Sequence, residues 1–214
     1  MSGRHFKPPP VGDQTLGAIL RYNPRDSFCH IVTQTYRGPR VTGDIAISID
    51  GACTNNGNPN ARASMGVFFG PNSRYNYNRL LTNGPLTNQR AEIWAAIIAL
   101  QHVKQLKMSG LLDARRVVLI ADSEYLVKAM TFRVYHWRDN GWIGSYGRRV
   151  VNWSDFEALD DLIEELRVEY DVDVKFWLVD RSWNNAADRE AKKALRFGQG
   201  LHPFFAALIA ERDS

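Results

Sequence analysis

The stretch that most constrains the fold is residues 44–50, which have the pattern of a β-strand ending in an acid. Three isoleucines alternate there with smaller or polar side chains, so the isoleucines occupy one face and Asp50 lies on the other. Residues 51–57 are rich in glycine and asparagine, so the chain can bend directly after Asp50 and present backbone amides beside it. A carboxylate at such a bend is more typical of a functional site than of a packing layer.

Two further acids fall at the ends of predicted elements. Glu92 lies in the first turn of a helix that begins near Asn88, and Asp122 ends an apolar strand. The element patterns follow the order β-β-β-α-β-α-α-β-α. They predict an α/β fold with a five-stranded mixed sheet, three strands antiparallel and two parallel, flanked by helices. The predicted strands are 44–50, 61–70, 75–82, 117–122 and 172–179.

The length of 214 residues, 44% of them hydrophobic, favours one domain with extensions. We place the domain at residues 44–198, between an N-terminal extension at 1–43 and a C-terminal tail at 199–214. The extension lacks sustained periodicity, so we expect it to be partly ordered at best. It holds six Lys and Arg against two acids, a net charge of +4, which leaves 21 basic and 21 acidic residues elsewhere. This excess suits contact with a polyanion, although a solvated tail kept for solubility explains it equally well.

The sequence has no run of about 18 apolar residues and no apolar segment near its N-terminus, so we expect neither a membrane span nor a secretory signal. Two cysteines, Cys29 and Cys53, have no zinc-binding spacing and cannot form a disulfide framework. This favours a reducing, intracellular compartment, nuclear or cytoplasmic, with a mitochondrial location left open. We also expect a monomer.

Residues 133–149 interleave four arginines with two tryptophans and two tyrosines around three glycines. The pattern predicts a surface protrusion that contacts nucleic acid, since arginine neutralises phosphate while aromatic rings pack against sugar. The alternative is a solvated basic loop whose aromatic side chains, Trp142 in particular, are tucked into the core.

At this point the sequence resembles the ribonuclease H family, specifically its cellular type 1 enzymes, over about residues 45–194. Five motifs in order carry the resemblance: Ile-Asp50-Gly-Ala-Cys-Thr-Asn-Asn-Gly57, Thr87-Asn-Gln-Arg-Ala-Glu92, Ala-Asp122-Ser, Asn140-Gly-Trp142 with Asn152 downstream, and Asn184-Asn-Ala-Ala-Asp188. The resemblance implies a ribonuclease H-like fold. It also implies an endoribonuclease that cuts the RNA strand of RNA/DNA hybrids and leaves 5′-phosphate and 3′-hydroxyl ends.

The resemblance further implies that four carboxylates, Asp50, Glu92, Asp122 and Asp188, hold two Mg²⁺ ions, with Mn²⁺ as a possible substitute. Carboxylate oxygens suit hard divalent cations, and two such ions can activate water and stabilise a leaving oxygen. For Glu92 and Asp188, each in a first helical turn, favourable interaction with the helix dipole is an alternative explanation.

Substrate contacts carry over from the same resemblance. Positions matching those that read the RNA minor groove and its 2′-hydroxyls are Cys53, Asn56, Gly57, Asn88 and Gln89. Positions matching the DNA phosphate pocket are Thr87 and Asn152, and those matching the DNA channel are Tyr125, Trp137 and Ser145.

The chain departs from the family pattern at three places. Arg133 stands where a second channel tryptophan is common, and Pro85 where some members have a phosphate-binding arginine. The loop before Asp188 is short and lacks the family's histidine, as in some fungal and plant members, so we expect product release to limit turnover.

Two alternatives to a cellular enzyme stay open. One is a non-catalytic module that binds RNA/DNA hybrids or double-stranded RNA, and the other is a ribonuclease H domain derived from a retroelement. Four clustered acids facing phosphates argue against a pure binder.

Overall fold

The computed structural model describes residues 3–9 and 15–197, in which seven strands form one sheet flanked by helices. The strands are β1 (Leu20–Asn23), β2 (Phe28–Thr35), β3 (Gly38–Thr54), β4 (Arg62–Phe68), β5 (Tyr77–Leu81), β6 (Arg116–Ala121) and β7 (Asp173–Leu178). The helices are α1 (Leu16–Ile19), α2 (Asn88–Met108), α3 (Glu124–Lys128), α4 (Val134–Asp139), α5 (Trp153–Tyr170) and α6 (Asn185–Phe197). A π-helical turn (Ala129–Arg133) joins α3 to α4, and a 3-10 turn (Arg181–Trp183) precedes α6.

The long strand β3 is the centre of the sheet. On one edge β2 pairs antiparallel with its first part and β4 with its second part, and β5 continues from β4. On the other edge β6 pairs with β3 in parallel, from Ile45↔Val117 to Ser48↔Ile120, and β7 pairs in parallel with β6. The mixed sheet agrees with the predicted α/β fold, with two further strands, β1 and β2, added to the five expected.

Alternation along β3 and β6 sends side chains to two separate apolar clusters. Ile45, Ile47 and Ile49 pack with α2 and α5, while Ala46 packs with Val118, Trp177 and the N-terminal elements on the opposite face. Asp50 therefore faces the side of the sheet on which α6 lies. Asp50 and Asp122 each lie two residues beyond Ser48↔Ile120, the last pair of the parallel strands β3 and β6, so the two acids fall side by side where that pairing ends. The predicted strand end and bend directly after Asp50 are wrong, because β3 stays paired with β4 as far as Thr54.

The N-terminal extension differs from the expectation of partial order at best. Residues 20–43 contribute β1, β2 and the first part of β3, and the predicted boundary at residue 44 falls inside β3. Upstream, the Phe6 amide donates to the Phe176 carbonyl at 2.9 Å, which places residues 4–6 alongside β7. The sequence pattern did not predict β2, because its apolar side chains are covered on both faces and do not alternate with polar ones. The division into an extension and a domain stays a prediction, and the predicted tail at 199–214 lies outside the described residues.

The segment 133–149 is also more ordered than a protrusion. Its first part is α4, whose Trp137 ring packs 5.5 Å from Phe156 of α5, and Trp142 is only 5% exposed. Residues 145–149 are exposed, so the basic protrusion is confined to the loop after α4. Within the described ranges, no helix is both long and apolar enough to cross a membrane.

Candidate active site

Two glycines position helices tightly against the ends of the central strands. Gly66 of β4 pairs with Asp50, and a Cβ atom there would lie 2.3 Å from the Ala191 amide nitrogen of α6. The buried Ser64 hydroxyl donates to the Ala191 carbonyl at 2.7 Å and fixes the same contact. This close approach holds the first turn of α6, and with it Asp188, beside the end of β3.

Gly51 plays the same role on the other face of the sheet. A Cβ atom on Gly51 would lie 2.4 Å from the backbone nitrogen of Glu92, so the start of α2 crosses directly over β3. Glu92 is the fifth residue of α2 and lies just beyond the first turn in which the sequence placed it. Thr87 caps this helix by accepting a hydrogen bond from the Arg90 amide at 3.2 Å. Glycine at 51 is thus what lets Glu92 approach Asp50.

Asn184 ties the ends of β3 and β6 to the start of α6. Its side-chain amide donates to Asp122 Oδ1 at 2.7 Å and to the Ile49 carbonyl at 2.9 Å, and the residue is 1% exposed. The Asp188 amide in turn donates to the Asn184 carbonyl at 3.2 Å. From the sequence, Asn184 received no role at the site, although its place four residues before Asp188 in a matching motif was a usable signal.

The electrostatics of Asp50 show that the four acids act on one another. Burial raises the pKa of Asp50 to about 7, with further increases from the charges of Asp122, Asp188 and Glu92 and an opposing effect of the Gly51 backbone hydrogen bond. Burial also raises the pKa of Glu92, which the hydrogen bond from Ser123 opposes and the charge of Asp122 reinforces. A buried carboxyl whose pKa is raised both by burial and by neighbouring acids marks a candidate functional site.

Each of the other acids is held by its own neighbours. Glu92 accepts hydrogen bonds from Ser123 Oγ at 2.5 Å and from Asn88 Nδ2 at 2.8 Å. Lys192 Nζ lies 2.8 Å from an Asp188 oxygen. These contacts draw the side chains toward separate donors, as mutual repulsion between carboxylates favours.

The predicted metal site is therefore not a closed ligand set. Among residues 3–9 and 15–197, no group of three or more His, Cys, Asp or Glu side chains converges well enough to hold an ion. The donor chemistry nevertheless fits a hard divalent cation, because all four groups are carboxylates and Asp50 is electrostatically coupled to the other three.

The residues predicted to read RNA lie together. The Asn88 amide donates to Asn56 Oδ1 at 3.3 Å, and Cys53 Sγ donates to the Leu86 carbonyl at 3.5 Å, so the turn after β3 abuts the start of α2. Asn56, Gly57 and Gln89 are exposed there. The structure thus groups the predicted RNA-reading positions beside Glu92.

The residues predicted to hold DNA are only partly grouped. Asn152 Nδ2 donates to the Tyr125 hydroxyl at 3.4 Å, so these two are neighbours. Trp137 is 9% exposed, and its ring packs against Trp142 and Phe156, which leaves little of it accessible. Ser145 is exposed in the loop after α4, and no hydrogen bond between described residues links it to Tyr125 or Asn152.

Arg181 is a further residue at the site. It belongs to the short connection from β7 to α6, its side chain is 80% exposed, and its guanidinium nitrogen lies 4.0 Å from Asp122 Oδ2. Its charge partly offsets the effect of burial, which raises the pKa of Glu92. It therefore places a positive charge at the solvent side of the acids.

Comparison with known proteins supports the resemblance to the ribonuclease H family. The family model for ribonuclease H matches residues 43–196. Mouse (Mus musculus) ribonuclease H1 is 36% identical over 138 residues, which cover 64% of this chain and 45% of that protein, so the chain spans less than half of that relative's length. A ribonuclease H of Anaeromyxobacter sp. (strain K) is 31% identical over 175 residues, covering 78% of this chain and 88% of that one.

Among solved structures, the foamy viral protease-reverse transcriptase in complex with double-stranded DNA is similar with a TM-score of 0.53 at 20% identity, covering 72% of this chain and 92% of that one. This likeness supports the ribonuclease H-like fold expected from the sequence. The family model covers well over half of the chain, and a bacterial relative is matched over most of its length. The protein therefore belongs to the ribonuclease H family.

Proposed function

We propose that this protein is an endoribonuclease that hydrolyses the RNA strand of RNA/DNA hybrids, leaving 5′-phosphate and 3′-hydroxyl ends. The observation that carries the proposal is the buried Asp50, whose pKa is raised to about 7 next to three other acids. Repelling carboxylates destabilise a fold, so their presence at the end of the central strands has a functional explanation. Membership of the ribonuclease H family supports the reaction class.

Asp50, Glu92, Asp122 and Asp188 are the residues that would hold two Mg²⁺ ions. When bound, such ions supply an activated water and stabilise the leaving 3′ oxygen. The protein's own part is positioning: Asn184 orients Asp122, and Ser123 and Asn88 orient Glu92. Gly51 lets α2, which contains Glu92, approach Asp50, and Gly66 does the same for α6, which contains Asp188.

We assign recognition of the RNA strand to the turn after β3 and the start of α2. Asn56, Asn88 and Gln89 offer amide donors and acceptors that suit minor-groove edges and 2′-hydroxyls. Tyr125 and Asn152, joined by a hydrogen bond, are the DNA-side pair. Trp137 contributes mainly to packing, because its ring is 9% exposed. We expect the enzyme to act as a monomer.

The direct test is cleavage of end-labelled duplexes of equal sequence by the purified full chain. RNA/DNA hybrid, RNA/RNA and DNA/DNA duplexes would each be incubated with Mg²⁺, with Mn²⁺ or with EDTA. We expect Mg²⁺-dependent cuts in the RNA strand of the hybrid alone, with Asp50→Asn inactive as the control. Hybrid binding without any metal-dependent cleavage would instead identify a non-catalytic binding module.

A further inference from the structure

The turn between β2 and β3 forms a two-stranded arm, residues 33–41, which we call the β2–β3 arm. Its pairs are Thr33↔Arg40, Gln34↔Pro39 and Thr35↔Gly38. Other strands pair with these two only beyond the arm: β1 reaches β2 at residues 28–31, β6 reaches β3 from Ile45 and β4 from Ser48. The arm therefore projects past the sheet with neither of its edges paired.

The side chains of the arm are exposed and basic. Tyr36 is 90% exposed, and the guanidinium of Arg37 lies 5.1 Å from the centre of its ring. The arm contains no acid, and neither Arg37 nor Arg40 makes an ion pair with any described residue. By contrast, Arg116 of β6 is neutralised by Asp44 and Asp173, each at 3.2 Å.

Arg37 and Arg40 therefore give the arm uncompensated positive charge, which is part of the net charge of +4 on residues 1–43. Arg4, another basic residue of that region, is buried against Asp160 and Glu164 and is neutralised. Packing does not explain the arm, because an isolated hairpin is marginally stable and an exposed tyrosine gains little from burial.

We propose that the β2–β3 arm is a second nucleic-acid-binding surface, which contacts the sugar-phosphate backbone of a bound hybrid at a distance from the carboxylates. This inference rests on the proposed function. Arginine neutralises phosphate in either strand without reading sequence, and a tyrosine ring packs against sugar or an unstacked base. Such a contact adds affinity and leaves the chemical step unchanged.

The geometry of β3 sets the length of hybrid that can use the arm. Asp50 lies twelve positions after Gly38 on the same strand, which corresponds to a reach of about 40 Å at ~3.3 Å per residue. A duplex rising about 3.4 Å per step covers that reach in roughly 12 base pairs. Our proposal places the duplex along β3, so that a hybrid of about 8 base pairs at the carboxylates falls short of the arm and one of about 30 base pairs extends to it.

The test compares the full chain with the Arg37→Ala/Arg40→Ala double variant on hybrids of these two lengths. For the long hybrid we expect KM to rise about 5- to 10-fold and the slope of log KM against log salt to become shallower by about 2. For the short hybrid KM changes less than about 2-fold, and kcat is unchanged on both. The charge-conserving Arg37→Lys/Arg40→Lys variant should restore most of the salt slope.

The matched control is the Arg115→Ala/Arg167→Ala double variant, which removes the same charge from exposed arginines that pair with Asp171 and Glu164. We expect this control to keep the parental length dependence. The proposal is overturned if the arm variant leaves long-hybrid KM unchanged, if it weakens both lengths equally, or if the control reproduces its effect. An arm that instead serves a protein partner would give the first of these results.

Failure of the proposed function is a separate outcome. If the parental chain cuts neither hybrid, the proposed function falls, and the same variants are compared by fluorescence anisotropy of labelled hybrids. A length-dependent rise in Kd on the long hybrid alone would then still support the arm, and equal Kd values for the parent and the arm variant would refute it.

Discussion

Two buried aspartates, Asp50 and Asp160, are treated in opposite ways by this fold. Asp160 is 2% exposed and is neutralised by Arg4 Nη1 at 2.5 Å and Arg138 Nη1 at 3.3 Å. Asp50 is 8% exposed and makes no ion pair with any described residue; burial, reinforced by the charges of three acids, raises its pKa instead. The first arrangement joins the N-terminal segment and α4 to α5, and the second stabilises no contact between elements.

The difference separates a structural acid from a functional one. A buried charge with well-placed partners holds elements together, whereas one without them weakens the fold and is kept for chemistry or binding. Burial alone does not distinguish the two residues, and neither does residue type. The sign of the neighbouring charges does.

The largest expected effect follows from removing the functional acid. Asp50→Asn keeps the shape of the side chain but deletes a metal-binding oxygen, so we expect cleavage of RNA/DNA hybrid to fall to background while hybrid Kd stays within a few-fold. Cleavage assays and anisotropy on the same preparation measure both quantities. Near-parental cleavage by this variant would remove Asp50 from the mechanism.

The same variant should also be more stable in EDTA. The folded state keeps the Asp50 proton up to pH about 7 while the ordinary pKa is 3.8, so stability due to this group is full at low pH and is lost as pH rises between these values. The loss is at most ~4 kcal/mol. At pH 8 we therefore expect Asp50→Asn to gain about 2 kcal/mol, or roughly 4–8 °C in Tm. Thermal unfolding at pH 5 and pH 8 checks this, because the gain should shrink at the lower pH.

Removing the structural acid should do the reverse. Asp160→Asn leaves the buried Arg4 without its closest partner, which costs about 3–5 kcal/mol when one member of a buried pair is lost. We expect a large drop in Tm, with Mg²⁺-dependent cleavage retained at temperatures where the variant is folded. If Asp160→Asn abolished cleavage while it remained folded, the contrast between the two aspartates would be wrong.

Much of the site was predictable because its residues stand at element ends in short motifs. Asp122 directly follows the apolar strand β6, Asp50 lies just beyond the part of β3 that pairs with β6, and Glu92 follows a capped helix start. The structure adds what spacing does not contain: how closely Gly51 and Gly66 let helices approach, and that Asn184 links three elements. These depend on contacts between residues distant in sequence.

The N-terminal region shows why the rest was missed. Ile31 and Cys29 belong to a strand covered on both faces, and a short apolar run of this kind lacks the alternation that marks a strand. Similarly, Arg4 lies in a proline-containing stretch whose order comes from pairing with β7 and from Asp160, some 156 residues away. Local patterns do not report such partners.

A smaller effect concerns arginines rather than acids. Arg148 and Arg149 are exposed in the loop after α4 and make no ion pair with a described acid, whereas Arg138 is bound to Asp160. We expect Arg148→Ala/Arg149→Ala to raise KM for hybrid about 3- to 5-fold and to flatten its salt dependence by up to about 2, because phosphate contacts are lost. Arg138→Ala should lower Tm, because it removes a partner of the buried Asp160, and should change the salt slope little. An unchanged slope in the double variant would make the loop a solvated surface.

The smallest effect we expect is at Arg181, which weakly compensates the functional acids. Burial raises the pKa of Glu92 and the charge of Arg181 partly offsets this increase. Arg181 Nε lies 4.0 Å from Asp122 Oδ2, but the Arg181 side chain is 80% exposed and solvent screens its charge. Arg181→Ala should raise the pKa of Glu92, so more of the acid is protonated at low pH. We therefore expect kcat/KM to fall about 3-fold at pH 6 and less than about 2-fold at pH 8.5, with Arg181→Lys close to the parent. A loss that is equal at both pH values and is not rescued by lysine would mean that Arg181 contacts the substrate directly instead of tuning the acids.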